Sequence, residues 1–239
     1  MTTMPTEDTG TISYGPDAPS EQELRLLGDL KGKRVLELGC GRGAAAIAFA
    51  GQGASVIAID ASRAHLTEAR RTAERAEVRV EWHEGDIADL AFLRADSIDT
   101  VFSAHTIGEV EDVGRVFRQV HRVLRPQAAF VFSYEHPLAL CVAREVPVGP
   151  GASASPPPPE LPLGRPELRR SYFDDASVTV DVDGDMVTLY PRTLSSVFMG
   201  LTRAGFRVEV FAEPVPVASF ELEPLVPPTV VWRARKEGA

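Results

Sequence analysis

The chain has 239 residues and a formal net charge of -9. That length suits one α/β domain, or one domain plus a lid, with a core that needs neither disulfides nor metals. The acidic balance argues against a nucleic-acid partner, because phosphate binding needs a basic surface, and the arginines (Arg63, Arg70, Arg71, Arg75) are scattered along helical stretches rather than gathered in one block.

Two cysteines, Cys40 and Cys141, have neither metal-ligand nor disulfide-framework spacing, which points to a reducing compartment and to no metal site. The N-terminal stretch carries Glu7 and Asp8 without an apolar core, so it does not read as a signal peptide. No stretch approaches the ~20 apolar residues of a spanning helix. A cytoplasmic, soluble protein is expected.

In chain order, residues 1–18 are polar and turn-rich. Ser20 and Glu23 form a capping-box pattern that predicts a helix through about Leu30, stopped by Lys31-Gly32-Lys33. A short apolar strand, Arg34 to Leu38, is interrupted only by Glu37. Gly43 to Ala50 reads as a helix, Ser55 to Ile59 as a strand ending at Asp60, and Ser62 caps a helix to about Ala76. Strands follow at Val78 to Trp82 and Ile98 to Ser103. Asp112 caps a helix through Leu124, closed by Arg125-Pro126, and Ala128 to Tyr134 is the next strand. Residues 147–166, with four prolines at 156–159, fit no regular element and read as an extended or mobile loop. Asp183-Gly184 predicts a two-residue hairpin pairing Val182 with Asp185, Val180 with Val187 and Val178 with Leu189. Thr193 caps a helix with Leu194, Val197, Phe198 and Leu201 inward, stopped by Gly205, before strands at Phe206 to Ala212 and Thr229 to Arg235. Seven strands alternating mostly with helices predict an α/β fold, with a doubly wound, mostly parallel sheet. The chain reads as one domain over 1–239, with 138–190 inserted as a Pro-rich loop plus hairpin lid.

The segment Gly39-Cys40-Gly41-Arg42-Gly43-Ala44 sits where a strand hands over to a helix, which lets backbone approach a ligand closely. It fits two templates. As G-x-G-x-x-A it is a dinucleotide fingerprint, and as E-x-G-x-G-x-G it is the first motif of methyltransferases. Asp60, at the end of the second strand, can accept from both ribose hydroxyls of any adenosine cofactor. Asp86, after the third strand, can accept from an adenine amino group while Ile87 packs on the ring. Glu37, Asp86 and the Ile98 to Ser103 segment disfavour an NAD(P)-dependent oxidoreductase.

With those residues in place, the sequence resembles the class I methyltransferases dependent on S-adenosylmethionine, of the bacterial small-molecule type. The motifs carrying the resemblance are Val35 to Gly43, Val56 to Asp60, Gly85-Asp86, Ser97 to Ser103, and Val123 to Pro126 leading into Ala128 to Tyr134. Gln127-Ala128 departs from the Gly-Gly often found there. The resemblance implies a Rossmann-like methyltransferase fold and S-adenosyl-L-methionine as cofactor. It assigns the amino-acid arm to Gly39 and Gly41, with Glu37 supporting their loop and Cys40 a small residue within it. Asp60 and its neighbour Ala61 are implied at the ribose, Asp86 and Ile87 at adenine, and Ser103 with Ala104 on the sulfonium side. Tyr14 is a further cofactor candidate that could close over the site, or a packing residue.

The expected activity is methyl transfer to oxygen or nitrogen of a small-molecule acceptor. A non-catalytic S-adenosylmethionine-binding protein is the alternative that the glycine loop leaves open. In α/β folds ligands sit at the carboxyl ends of the strands. His105 and His136 fall there, and each can act as a base near neutral pH or be a structural histidine. His65, His83 and His121 read as surface residues. Tyr134, Tyr172, Tyr190 and Arg192 are the candidate acceptor-side residues; Arg192 can hold an acidic group or tie the lid to the core. No nucleic-acid or membrane partner is expected, and the sequence leaves the oligomeric state undetermined.

Overall fold

The computed structural model describes residues 11–15, 18–142, 168–182, 185–216 and 226–238. The Pro-rich stretch 147–166 and the hairpin turn 183–184 lie outside them. The chain order is α1 (Glu21–Leu24), β1 (Arg34–Leu38), α2 (Ala44–Gly51), β2 (Ser55–Asp60), α3 (Arg63–Arg75), β3 (Val80–Glu84) and β4 (Ile98–Ala104). After a 3-10 turn (Thr106–Glu109) come α4 (Val113–Val123), β5 (Leu124–Glu135), α5 (Pro137–Val142), β6 (Val178–Val182) and β7 (Asp185–Leu189). The last elements are α6 (Leu194–Arg203), β8 (Phe206–Ala212) and β9 (Thr229–Lys236).

Seven strands form one sheet in the order β3-β2-β1-β4-β5-β9-β8. The first five are parallel, and β9 runs antiparallel to both β5 and β8. The order reverses between β1 and β4, which opens a crevice at their carboxyl ends. Because side chains alternate along a strand, each strand feeds both faces. Leu36, Leu38, Ile57, Ile59, Phe130 and Phe132 pack with α4 and α6 on one face. Val35, Val56, Ala58, Phe102 and Val131 pack with α2 and the N-terminal segment on the other. The same alternation puts Glu37 and Asp60 on that second face.

The expected helix starts rest on side-chain caps. Ser62 accepts from the backbone of His65 (3.3 Å), Asp112 from Arg115 (2.9 Å) and Thr193 from Ser196 (3.2 Å). The separate hairpin β6-β7 has the predicted register, Val182 opposite Asp185 and Val178 opposite Leu189.

Four local expectations are corrected. Helix α1 ends at Leu24 rather than near Leu30, because the Glu21 carboxylate captures the backbone N–H groups of Leu26 (3.0 Å) and Leu27 (2.8 Å), and Arg25 turns left-handed with φ 51°. Strand β3 starts two residues later than predicted, after Glu77 caps the preceding turn with φ 56°. Strand β5 begins at Leu124, which pairs with Ile98 before an irregularity carries the ladder to Ala129 opposite Thr100, with Gln127 at φ 63° between them. Phe198 is 46% exposed, so the inward face of α6 rests on Val197 and Leu201.

Phe132 is fully buried at the middle of the first face, with Phe130 stacked at 4.5 Å and Phe117 at 5.8 Å between ring centroids. Phe132→Ala is expected to lower the unfolding free energy by about 3–5 kcal/mol in urea denaturation. A loss under about 1 kcal/mol would mean the site collapses around the missing ring.

Candidate functional site

A cavity of about 850 Å³ lies at the carboxyl edge of β1, β2 and β4 and is reached by the hairpin through Val182 and Val187. A depression of similar size, about 810 Å³, runs along α3 between Thr67, Arg71 and Glu74, but only side chains of that single helix line it. The first cavity gathers groups from many elements, which is the expected character of a ligand site.

The glycine loop forms its floor. Gly39, Gly41 and Gly43 have φ of 67°, 51° and 84°, a region that side chains disfavour. They do different jobs. A Cβ on Gly39 would collide with Thr106 at 2.0 Å, and one on Gly43 would meet the Trp82 ring at 2.6 Å; both permit close packing. A Cβ on Gly41 meets nothing within 4 Å and points into open space. The loop is strapped to its neighbour strand by Gly39 and Cys40, whose N–H groups both donate to the Ile59 carbonyl at 2.8 and 3.1 Å. Asp60 holds it from the side: Oδ2 accepts from Gly41 N at 2.8 Å, and Oδ1 accepts from Ser62 N at 2.8 Å.

Glu37 lines the cavity from beneath the loop and is 4% exposed. Its Oε2 has no hydrogen-bond partner among the described residues. Burial pushes its carboxyl up to about 8; a bond from the Ala46 backbone opposes the shift, and the Asp60 charge adds to it. Asp86 and Ile87 line the same cavity, and Asp86 Oδ1 accepts from Ala88 N at 2.8 Å. Cys40 also lines it; burial raises the thiol well above its usual range, which keeps it protonated and unreactive.

The structure brings Glu37, Gly39, Cys40, Gly41, Asp60, Ala61, Asp86, Ile87 and His105 to one cavity. Other expected residues lie elsewhere. Tyr14 is fully buried, edge-on to Phe102 at 5.7 Å, with its hydroxyl donating to Glu21 at 2.5 Å. It is a packing residue, and its neighbours Ser13 and Gly15 line the cavity instead. Ser103 is buried with its hydroxyl donating to the Leu38 carbonyl at 3.0 Å; Ala104 and Thr106 take the lining positions. His136 is 3% exposed, its Nε2 paired with Glu213 at 2.8 Å and its Nδ1 accepting from Leu138 N at 3.1 Å. With both ring nitrogens engaged, it is a structural pin for α5.

The four expected acceptor-side residues do not line the large cavity. Tyr134, Tyr190 and Arg192 border a small void of about 10 Å³. The Tyr172 hydroxyl accepts from Leu194 N at 3.0 Å. Arg192 donates to the carbonyls of Val110, Glu111 (2.9 Å) and Tyr190 (2.8 Å). Of the two readings for Arg192, the structure favours the tie: it fastens the segment after β7 to the turn after β4.

His105 adopts φ 62° at the entry to the 3-10 turn. Its Nδ1 lies 2.9 Å from Glu135 Oε1, and its Nε2 lies 3.3 Å from Thr229 Oγ1. Gly15 packs on the ring: a Cβ there would fall 1.9 Å from Nε2. Sequence reasoning missed His65, which lines the cavity with Nδ1 3.7 Å from Asp60, and Glu109 at the end of the turn. The position of Glu109 just past a strand's carboxyl end was the available signal.

Against known proteins, residues 35–127 match the family model described as a methyltransferase domain. A crystal structure of an S-adenosylmethionine dependent methyltransferase from Mesorhizobium loti is 29% identical, with a TM-score of 0.72, covering 90% of this chain and 96% of that one. One from Listeria monocytogenes, described as a candidate of the same kind, gives 27% identity and a TM-score of 0.73, covering 91% and 98%. Among curated relatives, a ubiquinone biosynthesis O-methyltransferase of Hahella chejuensis is 36% identical over 104 residues, 44% of each chain. The same-named protein of Azorhizobium caulinodans is 30% identical over 111 residues, 46% of this chain and 44% of that one. The chain thus spans less than half the length of these curated relatives. Residues 35–127 are a methyltransferase domain. The chain around them has the fold of the S-adenosylmethionine-dependent methyltransferases.

Glu37 predicts a pH dependence. Its native pKa lies above its unfolded value, so between about 4.5 and about 8 the native state binds more protons and its stability falls as pH rises. Glu37→Gln is expected to flatten that slope in denaturation measured across the window. An unchanged slope would show that Glu37 is ionised in the folded protein.

Proposed function

We propose that the protein transfers a methyl group from S-adenosylmethionine to an oxygen or nitrogen of a small-molecule acceptor. The observation that carries this reading is the convergence of Glu37, Asp60 and Asp86 on one cavity around the open space at Gly41. Those groups fit the cofactor part by part. The orphan Oε2 of Glu37 suits a ligand donor such as an ammonium at the loop, which Gly39, Cys40 and Gly41 line. Asp60 uses one lone pair of each oxygen on backbone, so each oxygen can still accept from a ribose hydroxyl beside Ala61. Asp86 and Ile87 hold adenine. When bound, the cofactor supplies a methyl already activated by its sulfonium. The protein's part is to exclude water and to hold the acceptor atom close and collinear, which can contribute ~7 kcal/mol or more.

Of the two expected histidines, His105 is the one that lines the cavity, and it is proposed as the base through Nε2, whose contact with Thr229 Oγ1 is a long 3.3 Å. Glu135 orients its ring, while Gly15 and Thr229 fix its far edge. The names of the relatives support a small acceptor, as do the net charge of -9 and the hairpin at the cavity. A cytoplasmic setting without nucleic-acid or membrane partners belongs to the same reading. No helix among the described residues is long and apolar enough to cross a membrane. The unit proposed for this activity is one domain, with 138–190 as its lid.

Calorimetric titration tests the reading. S-adenosylhomocysteine is expected to bind and NADH is not; the reverse result overturns it. Asp86→Ala is expected to weaken S-adenosylhomocysteine by roughly tenfold or more, the cost of losing a hydrogen bond to a charged group. Unchanged affinity in a variant with native thermal stability would remove Asp86 from the adenine site.

A further inference from the structure

We infer that Glu135 is the positioning residue of the His105 base. It holds the neutral ring as the Nδ1–H tautomer, so that the Nε2 lone pair is the one offered to the acceptor's proton, and the bare backbone of Gly108 makes the room it needs. The inference rests on the methyltransferase reading, with His105 as its base, and adds how that base is set.

The two ends of the His105 ring are gripped by one cross-strand pair. Glu135 on β5 stands directly opposite Thr229 on β9, so their side chains leave the sheet on the same face, with Cβ atoms about 5 Å apart. His105 reaches that pair from the end of β4, turned by a φ of 62° and tied by its backbone N–H to the Ser133 carbonyl at 3.0 Å. Nδ1 meets Glu135 Oε1 at 2.9 Å, and Nε2 meets Thr229 Oγ1 at 3.3 Å.

The chemistry of the two partners decides which nitrogen carries the hydrogen. An ionised carboxylate only accepts, so Nδ1 must donate; the other tautomer would set two lone pairs against each other at 2.9 Å. A hydroxyl donates or accepts, so Thr229 adapts and donates to Nε2. That bond is the longer of the two, and it is the one an acceptor's O–H or N–H replaces. In that step the hydrogen leaves the acceptor atom, the electron pair of the broken bond stays there for methylation, and an Nε2–H bond forms. Gly15 keeps the approach clear, because a Cβ there would overlap Nε2.

Shape holds Glu135 in this role. Its Oε2 is buried and has no hydrogen-bond partner among the described residues, a costly state for a carboxylate oxygen. The bond from His105 to the other oxygen offsets that cost. The orphan oxygen packs against Gly108: a Cβ there would fall 2.5 Å from Oε2, whereas Leu189 and Tyr134 would stand at an ordinary 3.6 Å. A side chain at 108 therefore displaces the carboxylate and little else.

The tautomer is read from imidazole nitrogen shifts in two-bond proton–nitrogen correlation spectra of the full chain, free and with S-adenosylhomocysteine. Spectra are taken at a pH where the ring signals have stopped titrating, and the His105 signals are assigned by their loss in His105→Gln. The Nδ1–H form is expected to exceed the Nε2–H form by about tenfold or more, as a bond to a charged acceptor provides. Glu135→Ala is expected to lower that ratio by at least about tenfold. Gly108→Ala is expected to do the same with Glu135 still present; its backbone lies outside the left-handed region, so alanine fits there. A dominant Nε2–H form in the unaltered chain would overturn the inference, as would an unchanged ratio in either variant at native thermal stability. Should Glu135→Ala fail to fold, Gly108→Ala decides alone. A chain that shows the Nδ1–H form but does not bind S-adenosylhomocysteine would instead overturn the methyltransferase reading and leave the tautomer standing.

Discussion

The Asp60 carboxylate is the interaction on which the site depends. One oxygen holds the Gly41 N–H and the other holds the Ser62 N–H, so a single side chain joins the loop after β1 to the loop after β2. Charge-assisted bonds of this kind are about twice as strong as neutral ones. They fix Gly41 in the left-handed region that leaves the cavity floor open. The strand order explains why the geometry is available: β1 and β2 are adjacent and parallel, and Leu38 stands opposite Ile59. The Gly39 and Cys40 bonds to the Ile59 carbonyl complete the same bracket. The cavity therefore presents a carboxylate already held in place.

Acid placement follows from strand parity. Glu37 and Asp60 share a face because each lies an even number of residues from a core position on that face, Val35 and Val56 or Ala58. The buried Glu37 is the costly member of the pair, and the protein meets the cost by favouring its protonated form. A neutral carboxyl under the glycine loop removes repulsion with Asp60 while keeping a polar group aimed at the cavity.

This parity is why so much of the site was legible in the sequence. Residues at strand ends in a parallel sheet point to one edge, so Glu37, Asp60, Asp86 and His105 needed only the strand assignments. The misplaced residues depend on contacts that no local pattern carries. His136 is pinned by Glu213, 77 residues away, and Tyr14 is settled by Phe102 and Glu21. Helix α1 carries a sound start signal, yet it stops after one turn because Glu21 competes for the next N–H groups through its side chain. Arg192 was ambiguous for the same reason: its carbonyl partners at Val110 and Glu111 come from a turn some eighty residues earlier.

The hairpin forms its own two-stranded sheet and meets the main body chiefly at the 3-10 turn, where Tyr190 N donates to the Gly108 carbonyl at 2.8 Å. None of its strands pairs with the seven-stranded sheet. The glycine-loop floor of the cavity and its hairpin edge are thus built from separate hydrogen-bond systems joined at a narrow seam. Such a division makes the insert exchangeable. Side chains on the two hairpin strands can therefore change without touching the bracket that Asp60 holds at the cavity floor.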